Sequence, residues 1–437
     1  MTDDLRELAR LHGVQTSYHD GMGRYMEARP EALLAVLRAL GAALEDEDVA
    51  AALAERRREL AERVIEPVLV AWDGRAPAAV LRFGSDAGRV TCRFDLDTGE
   101  RWAWEKELSS LPQASDGRLL GLPDNLPVGY HRLRVGHEGR TGEALVISAP
   151  TKAFAGDGKP LWGVFLPLYA LQTRESWGMG DFSDLERLAE WTTGLGGGVV
   201  ATLPMLAQFL DEPFEPSPYA PASRLFWNEL YLDPRRVPEL ETCGEAKRLM
   251  KSPDFRREVD ELRKDWTVDY LRQMALKRRV LEELARDFFE NPSPDRRDAF
   301  QDFVASRPEL ENYAAFRAVG ERRGQSWQSW PERLREGTLA PGDWDEDDRR
   351  YHLWVQWITD EQVGAMAKEA RKRGPGLYLD LPVGVHGSSY DVWRYPTLFA
   401  EGMAAGAPPD ALFTGGQNWG FPPLVPEQLR EHGYDYF

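Results

Sequence analysis

Only two cysteines, Cys92 and Cys243, occur in 437 residues. Two distant thiols cannot build a framework of several bridges and form no zinc-like pair, so a reducing, cytoplasmic compartment is expected. Long apolar runs are missing as well; none approaches the roughly eighteen residues that a membrane helix needs. The opening Met1-Thr2-Asp3-Asp4-Leu5-Arg6 lacks the basic-then-apolar order of a secretory leader. Seven histidines are scattered without i, i+4 pairing, and the acidic clusters lack a calcium-loop pattern. Gly194-Leu195-Gly196-Gly197-Gly198 lacks the Lys-Ser/Thr ending of a phosphate loop and leads into a strand. No Gly-x-Ser-x-Gly elbow is present. No metal and no cofactor are therefore expected. Positive charge is in deficit: the formal net charge of −18 would repel nucleic acid and anionic membranes. Neutral sugars are indifferent to it.

What is present divides by hydrophobic period. Residues 1–62 read as a helical segment: Leu5, Leu8 and Leu11 recur at helical spacing, with Gly13 suited to a C-terminal cap. A second helix begins near Pro30, carries Leu33, Leu34, Leu37 and Leu40 on one face, and stops at Gly41. Over residues 63–150 the period becomes two, through Val68, Val70 and Trp72, then Leu81 and Phe83, then Val90 to Leu96. His131, Leu133 and Val135 follow, with Leu145 and Ile147 last. Asp73-Gly74 and Pro127-Val128-Gly129 supply turns, and a small β-sandwich is expected. Trp72, Trp102 and Trp104 could stack on sugar rings, but aromatics dominate small sandwich cores and core packing is preferred.

From residue 151 onward the pattern is α/β. Leu161–Leu166 and Gly198–Leu203 are continuous apolar runs, as expected of parallel strands buried on both faces. Between them Leu185, Leu188, Ala189 and Trp191 fit an amphipathic helix, giving a strand–helix–strand unit. A third buried strand reads Gly376-Leu377-Tyr378-Leu379-Asp380-Leu381, after a helix over Glu361–Lys372 with Val363, Met366, Ala367 and Ala370 inward. Residues 245–350 are charged and helical, with Phe255, Val259, Leu262 and Trp266 in one helix and Val280, Leu281, Leu284 and Phe288 in another. They read as a helical insertion between barrel strands.

Three loops stand out chemically. Pro216-Ser217-Pro218-Tyr219-Ala220-Pro221-Ala222-Ser223, continuing through Arg224-Leu225-Phe226-Trp227-Asn228, follows a buried strand. Asp380, in Leu379-Asp380-Leu381-Pro382-Val383-Gly384-Val385, is a strand-end carboxylate. Gly406-Ala407-Pro408-Pro409-Asp410 leads through Gly415-Gly416 to Gln417-Asn418-Trp419-Gly420-Phe421. Sugar sites need this mixture, with aromatic faces for the ring and amides or carboxylates for hydroxyls. A strand-end Asp equally caps the following helix, and Pro/Gly-rich loops equally dock as plain turns. On one inferred barrel face, the three together favour a site.

These segments resemble the amylomaltases, the 4-α-glucanotransferases of glycoside hydrolase family 77, in their longer bacterial form. Ser217-Pro218-Tyr219, Arg224–Asn228, Asp380–Val385, Gly406–Asp410 and Gly416–Gly420 carry the resemblance, together with Tyr351-His352-Leu353-Trp354-Val355-Gln356-Trp357. The resemblance implies a (β/α)8 TIM-type barrel. It also implies retaining transfer of α-1,4-glucan segments between maltodextrins, in which a carboxylate attacks the anomeric carbon and an acid/base carboxyl protonates the leaving oxygen. It implies substrate-binding roles for Ser217, Tyr219, Asp380, Asp410, Gln417, Asn418 and Trp419, with Tyr219 as the stacking residue and Asp380 as a support, not the nucleophile.

One departure counts against a full catalytic set. The family's nucleophile follows an Arg-x-Asp downstream of the Gln-Asn-Trp-Gly loop, and its acid/base Glu comes later still, whereas this sequence ends seventeen residues after Gly420. The Arg-x-Asp triplets Arg93-Phe94-Asp95, Arg263-Lys264-Asp265 and Arg296-Arg297-Asp298 fall in the expected sandwich and helical stretch. About 170 residues remain for the barrel outside that stretch, against about 250 for a complete one. The expectation is an incomplete barrel with no catalytic residue in this chain, the nucleophile and acid/base lying beyond Phe437. Such an open half-barrel would expose strand edges and apolar faces. A non-catalytic α-glucan-binding protein is the alternative, and a split enzyme completed by a second chain is a third reading.

Overall fold

Leucines at helical spacing build the N-terminal segment. Helix α1 (Asp3–Leu11) starts where the Thr2 hydroxyl accepts from the Leu5 N–H, and Gly13 follows it at φ +71°. Helices α2 (Pro30–Ala39) and α3 (Val49–Glu62) complete a small core in which Leu5, Leu8, Leu33, Leu37 and Leu53 meet. Residues 17–27 depart from the helical expectation. They form a hairpin of β1 (Ser17–His19) and β2 (Tyr25–Glu27), because Asp20-Gly21-Met22-Gly23 supplies tight-turn chemistry between two short runs. The computed structural model describes residues 1–437 apart from 45–47, 86, 157, 159, 212 and 375. These fall into two units, one of Met1–Gly158, Thr397–Trp419 and Pro423–Phe437, the other of Lys159–Pro396 and Gly420–Pro422.

The β-rich part of the first unit holds β3 (Val68–Trp72), β4 (Ala79–Leu81), β5 (Arg89–Asp95), β6 (Arg101–Glu107), β7 (Arg118–Leu120), β8 (Gly129–His137) and β9 (Arg140–Ala149). Five strands pair in the order β3-β9-β8-β5-β6, and β4 pairs with β7. Alternation places Leu69, Val90, Cys92, Phe94, Leu133, Val135 and Val146 in one core. Trp102 and Trp104 lie half-buried against it, consistent with packing. Trp72 does not: its side of β3 faces out and the residue is 54% exposed.

In the second unit, β10 (Gly163–Phe165), β11 (Val199–Thr202) and β12 (Gly376–Leu379) form a parallel sheet in that order. Helix α4 (Phe182–Gly194) connects the first two, and the Asp181 and Asp184 side chains close a reciprocal capping box at its start. Between β11 and β12 run α5 (Gly244–Lys251), α6 (Pro253–Leu262), α7 (Tyr270–Glu290), α8 (Pro294–Ala305), α9 (Leu310–Arg323), α10 (Glu332–Arg335) and α11 (Glu346–Arg373). The 28 residues of α11 join two stretches that read separately in the sequence, and bury Trp354, Val355, Ile358 and Met366. Trp266 corrects the expectation of an inward helix position: it lies past the end of α6 and is 99% exposed.

The parallel strands are not buried on both faces. The row through Val200 and Leu377 meets the helical core, whereas Phe165, Ala201 and Tyr378 form a row on the opposite face, with Phe165 and Tyr378 exposed. Among the described residues α4 and α11 pack on this sheet, which leaves that opposite row open. The rest of the chain adds α12 (Tyr390–Arg394) to the second unit. To the first it adds a short ladder of β13 (Gly406–Ala407) and β14 (Gln417–Asn418), then α13 (Pro426–Glu431). No helix among the described residues is long and apolar enough to cross a membrane.

Candidate functional site

The first constellation belongs to the second unit and grows out of the loop after β11. Gln208, almost wholly buried, accepts from Asn228 Nδ2 at 2.6 Å and donates from Nε2 to the Pro216 carbonyl at 2.8 Å. Asn228 in turn accepts from the Leu230 N–H at 3.0 Å. The buried ammonium of Lys277 on α7 donates to the Leu230 and Leu232 carbonyls, at 2.5 and 2.9 Å. A relay of satisfied buried polar groups thus sets where the Pro216 turn emerges.

The turn itself is closed by its own side chains. The Glu215 carboxylate accepts from the Ser217 N–H at 2.9 Å, and the Ser217 hydroxyl accepts from the Tyr219 N–H at 3.3 Å. Downstream, the buried Asp391 on α12 accepts from the Ser223 hydroxyl and from the Arg224 N–H. Tyr219 is left 47% exposed, and its hydroxyl donates to Asp380 Oδ2 at 2.9 Å, 161 positions along the sequence. Partial burial and the neighbouring Asp380 carboxylate both push the Tyr219 phenol above its ordinary value. Asp380 stands immediately after β12, and the loop beyond it is pinned at Gly384, where a Cβ would sit 2.2 Å from the Phe421 ring. Only glycine fits there. The phenol face and the strand-end carboxylate form an open platform with an acceptor at its edge.

The second constellation belongs to the first unit. Ala407 pairs with Gln417 and Gly406 with Asn418, so β13 and β14 fix the base of the Gly406–Trp419 loop. The Asp410 Oδ1 atom accepts from the Leu412 and Phe413 N–H groups at 2.8 and 2.6 Å, holding the far end of the loop. Trp419 donates from its backbone N–H to the Ala405 carbonyl at 2.9 Å and from Nε1 to Gln417 Oε1 at 3.2 Å. The residue is 46% exposed. An amide is therefore locked against the edge of an open aromatic ring.

Of the expected binding residues, Ser217, Tyr219 and Asp380 come together in one unit, and Asp410, Gln417, Asn418 and Trp419 in the other. Ser217 and Asp410 use side-chain oxygens on their own loops. The three Arg-x-Asp triplets are engaged structurally. Arg93 and Arg134 both bond Asp95 on the sandwich, Asp265 lies 3.6 Å from Arg272, and Arg296 bonds Glu239 and Glu361. Sequence reasoning missed Gln208 and Asp391 and gave Asn228 no role of its own, because their burial shows only in the fold. Among the described residues no group of three or more His, Cys, Asp or Glu could hold a metal ion.

The chain thus sets a β-sandwich ahead of a parallel α/β sheet, with an aromatic ring on the loop after β11 bonded to a carboxylate at the end of β12. The family model described as 4-alpha-glucanotransferase matches residues 166–437, and that of the MalQ N-terminal beta sandwich domain matches residues 64–150. The chain belongs to the 4-alpha-glucanotransferase family, glycoside hydrolase family 77. The 4-alpha-glucanotransferase of Mycobacterium tuberculosis is 32% identical over all of this chain and 63% of its own length, and that of Haemophilus influenzae is 31% identical over 76% and 50%. The crystal structure of amylomaltase from Corynebacterium glutamicum is similar with a TM-score of 0.81 and 28% identity, over 99% of this chain and 62% of that one. Amylomaltase from Streptococcus agalactiae, solved in complex with acarbose, shares the fold at a TM-score of 0.53 and 21% identity, over 63% and 55%. The chain thus spans under two thirds of the length of these relatives.

Proposed function

We propose that this chain supplies the glucan-holding part of a 4-α-glucanotransferase, which transfers α-1,4-glucan segments between maltodextrins by retaining double displacement. The observation that carries this is the open Tyr219 ring bonded to Asp380 at the end of β12, in a chain that belongs to the family. A phenol face covers the apolar C–H surface of a glucosyl ring, while Asp380 accepts from its hydroxyls. On this reading Ser217 and Asp410 shape their loops, and Gln417, Asn418 and Trp419 offer a second sugar surface. The parallel sheet is the N-terminal part of a (β/α)8 barrel with residues 245–350 as its helical insertion, and residues 1–62, 63–150 and 151–437 are its three regions. The three Arg-x-Asp triplets are tied into structural ion pairs, which supports assigning the nucleophile and acid/base to other residues than these. The buried, unpaired thiols and the acidic surface suit a cytoplasmic protein acting on a neutral substrate.

The test is incubation of residues 1–437 with maltotriose and chromatography of the products. Unchanged maltotriose is expected. Glucose with longer dextrins would overturn the assignment of the chemistry to other residues.

A further inference from the structure

The hairpin of residues 17–27 has no role in the function proposed above, yet its tip touches the loop that carries Gln417, Asn418 and Trp419. The tip is rigid. The Asp20 carboxylate, 5% exposed, accepts from the Met22 and Arg24 N–H groups at 2.9 Å each and from Arg24 Nε at 2.8 Å. The Asp20 N–H donates to the Arg24 carbonyl at 3.0 Å, and the Gly23 N–H to the Asp20 carbonyl at 2.9 Å. From this tip the Gly21 N–H donates to the Pro409 carbonyl at 2.9 Å. Pro409 has no N–H of its own, so accepting through its carbonyl is the one backbone bond open to it.

The approach is close enough to demand glycine. A Cβ on Gly21 would lie 2.8 Å from Asp410 Cβ and 3.2 Å from both Asp410 Cα and the Pro409 oxygen. The nearest obstacle is the Asp410 Cβ, which is fixed to the backbone and cannot swing aside as the far end of a long side chain would. On the other side of the contact the loop is stiff. Asp410 Oδ1 holds the Leu412 and Phe413 N–H groups, the Gly416 N–H donates to the Phe413 carbonyl, and β13 pairs with β14 directly before Trp419. A displacement at Pro409–Asp410 therefore passes to Gln417 and Trp419 through a short run of fixed bonds.

We propose that the Ser17–Glu27 hairpin is a positioning clamp on the Gly406–Trp419 loop, with Gly21 as its contact, so that the N-terminal segment takes part in glucan recognition. This rests on the reading of that loop as a sugar surface. Gly21 acts through the loop and is a positioning residue, not a catalytic one.

The test compares maltoheptaose binding by calorimetric titration for the full chain and three variants, with thermal unfolding and amide hydrogen exchange on each. Gly21→Ala is expected to weaken binding about tenfold, as a misplacement of under an ångström does in a preorganised site. It should speed exchange at Leu412–Trp419 while leaving exchange in β5, β8 and β9 unchanged. Asp20→Asn, which loosens the tip without adding bulk, should weaken binding in the same direction. Trp419→Ala separates the two ideas. If Trp419→Ala binds like the parent, the sugar surface itself is wrong and the clamp goes with it. If Trp419→Ala weakens binding while Gly21→Ala and Asp20→Asn bind like the parent, the clamp alone is overturned. Faster exchange throughout the sandwich in Gly21→Ala would also overturn it, since that marks a general loss of structure.

Discussion

Tyr219 combines an open ring with a hydroxyl already committed to Asp380, so ring and bond can be tested apart. Tyr219→Phe keeps the face and loses the internal bond that orients ring and carboxylate; maltoheptaose affinity should fall by about twofold, since that bond, worth about 1 kcal/mol, is made within the protein and not to the sugar. Tyr219→Ala should cost more, and equal losses in the two variants would show that the face contributes nothing. Glu321 on α9 offers a test of a different kind. It accepts from Arg278 through both oxygens, at 2.6 and 2.7 Å, and lies 2.8 Å from His352 Nε2. Burial alone would raise its pKa, but His352 and Arg278 outweigh it and hold the carboxyl well below 4.5. A depressed folded value contributes stability above about pH 4.5 that is lost as the pH falls. Glu321→Gln should therefore destabilise the second unit by about 3 kcal/mol at neutral pH, read by denaturant unfolding, and flatten the acid limb. An unchanged pH profile would show that the triad is not coupled to folding.

Among the elements, the parallel sheet departs most visibly from expectation. Its run of apolar residues predicts burial on both faces, yet Phe165 and Tyr378 share an open row. An exposed apolar row of this kind favours self-association. Phe165→Lys with Tyr378→Lys should lower the scattering mass at high concentration, and an unchanged mass would show that the row is inert. Strand identity was legible at Gly163–Phe165, Val199–Thr202 and Gly376–Leu379 because apolar runs between turn residues are strong signals. The β1–β2 hairpin was not, because three-residue strands carry almost no period. Nor was the contact of Tyr219 with Asp380 legible, since Tyr219 lies on the long loop after β11 and Asp380 directly after β12, 161 positions apart. Trp72 and Trp266 misled for different reasons: Trp72 sits on the outward side of β3, whereas Trp266 lies past the end of α6, where helical spacing no longer applies.

At the scale of the whole molecule, each unit has cores of its own, with Phe94 and Leu133 central to one and Trp354 and Leu281 to the other. Calorimetric unfolding should show more than one transition; a single two-state transition would contradict independent cores. The family was legible from the loop motifs, whereas the polar relay from Lys277 through Asn228 and Gln208 to Pro216 emerges only from the fold. On the proposed function these 437 residues hold an α-1,4-glucan. Titration of maltoheptaose into the intact chain by calorimetry tests it most directly. Saturable heat that is lost in Tyr219→Ala is the predicted result, and the absence of any binding heat in the parent chain would contradict it.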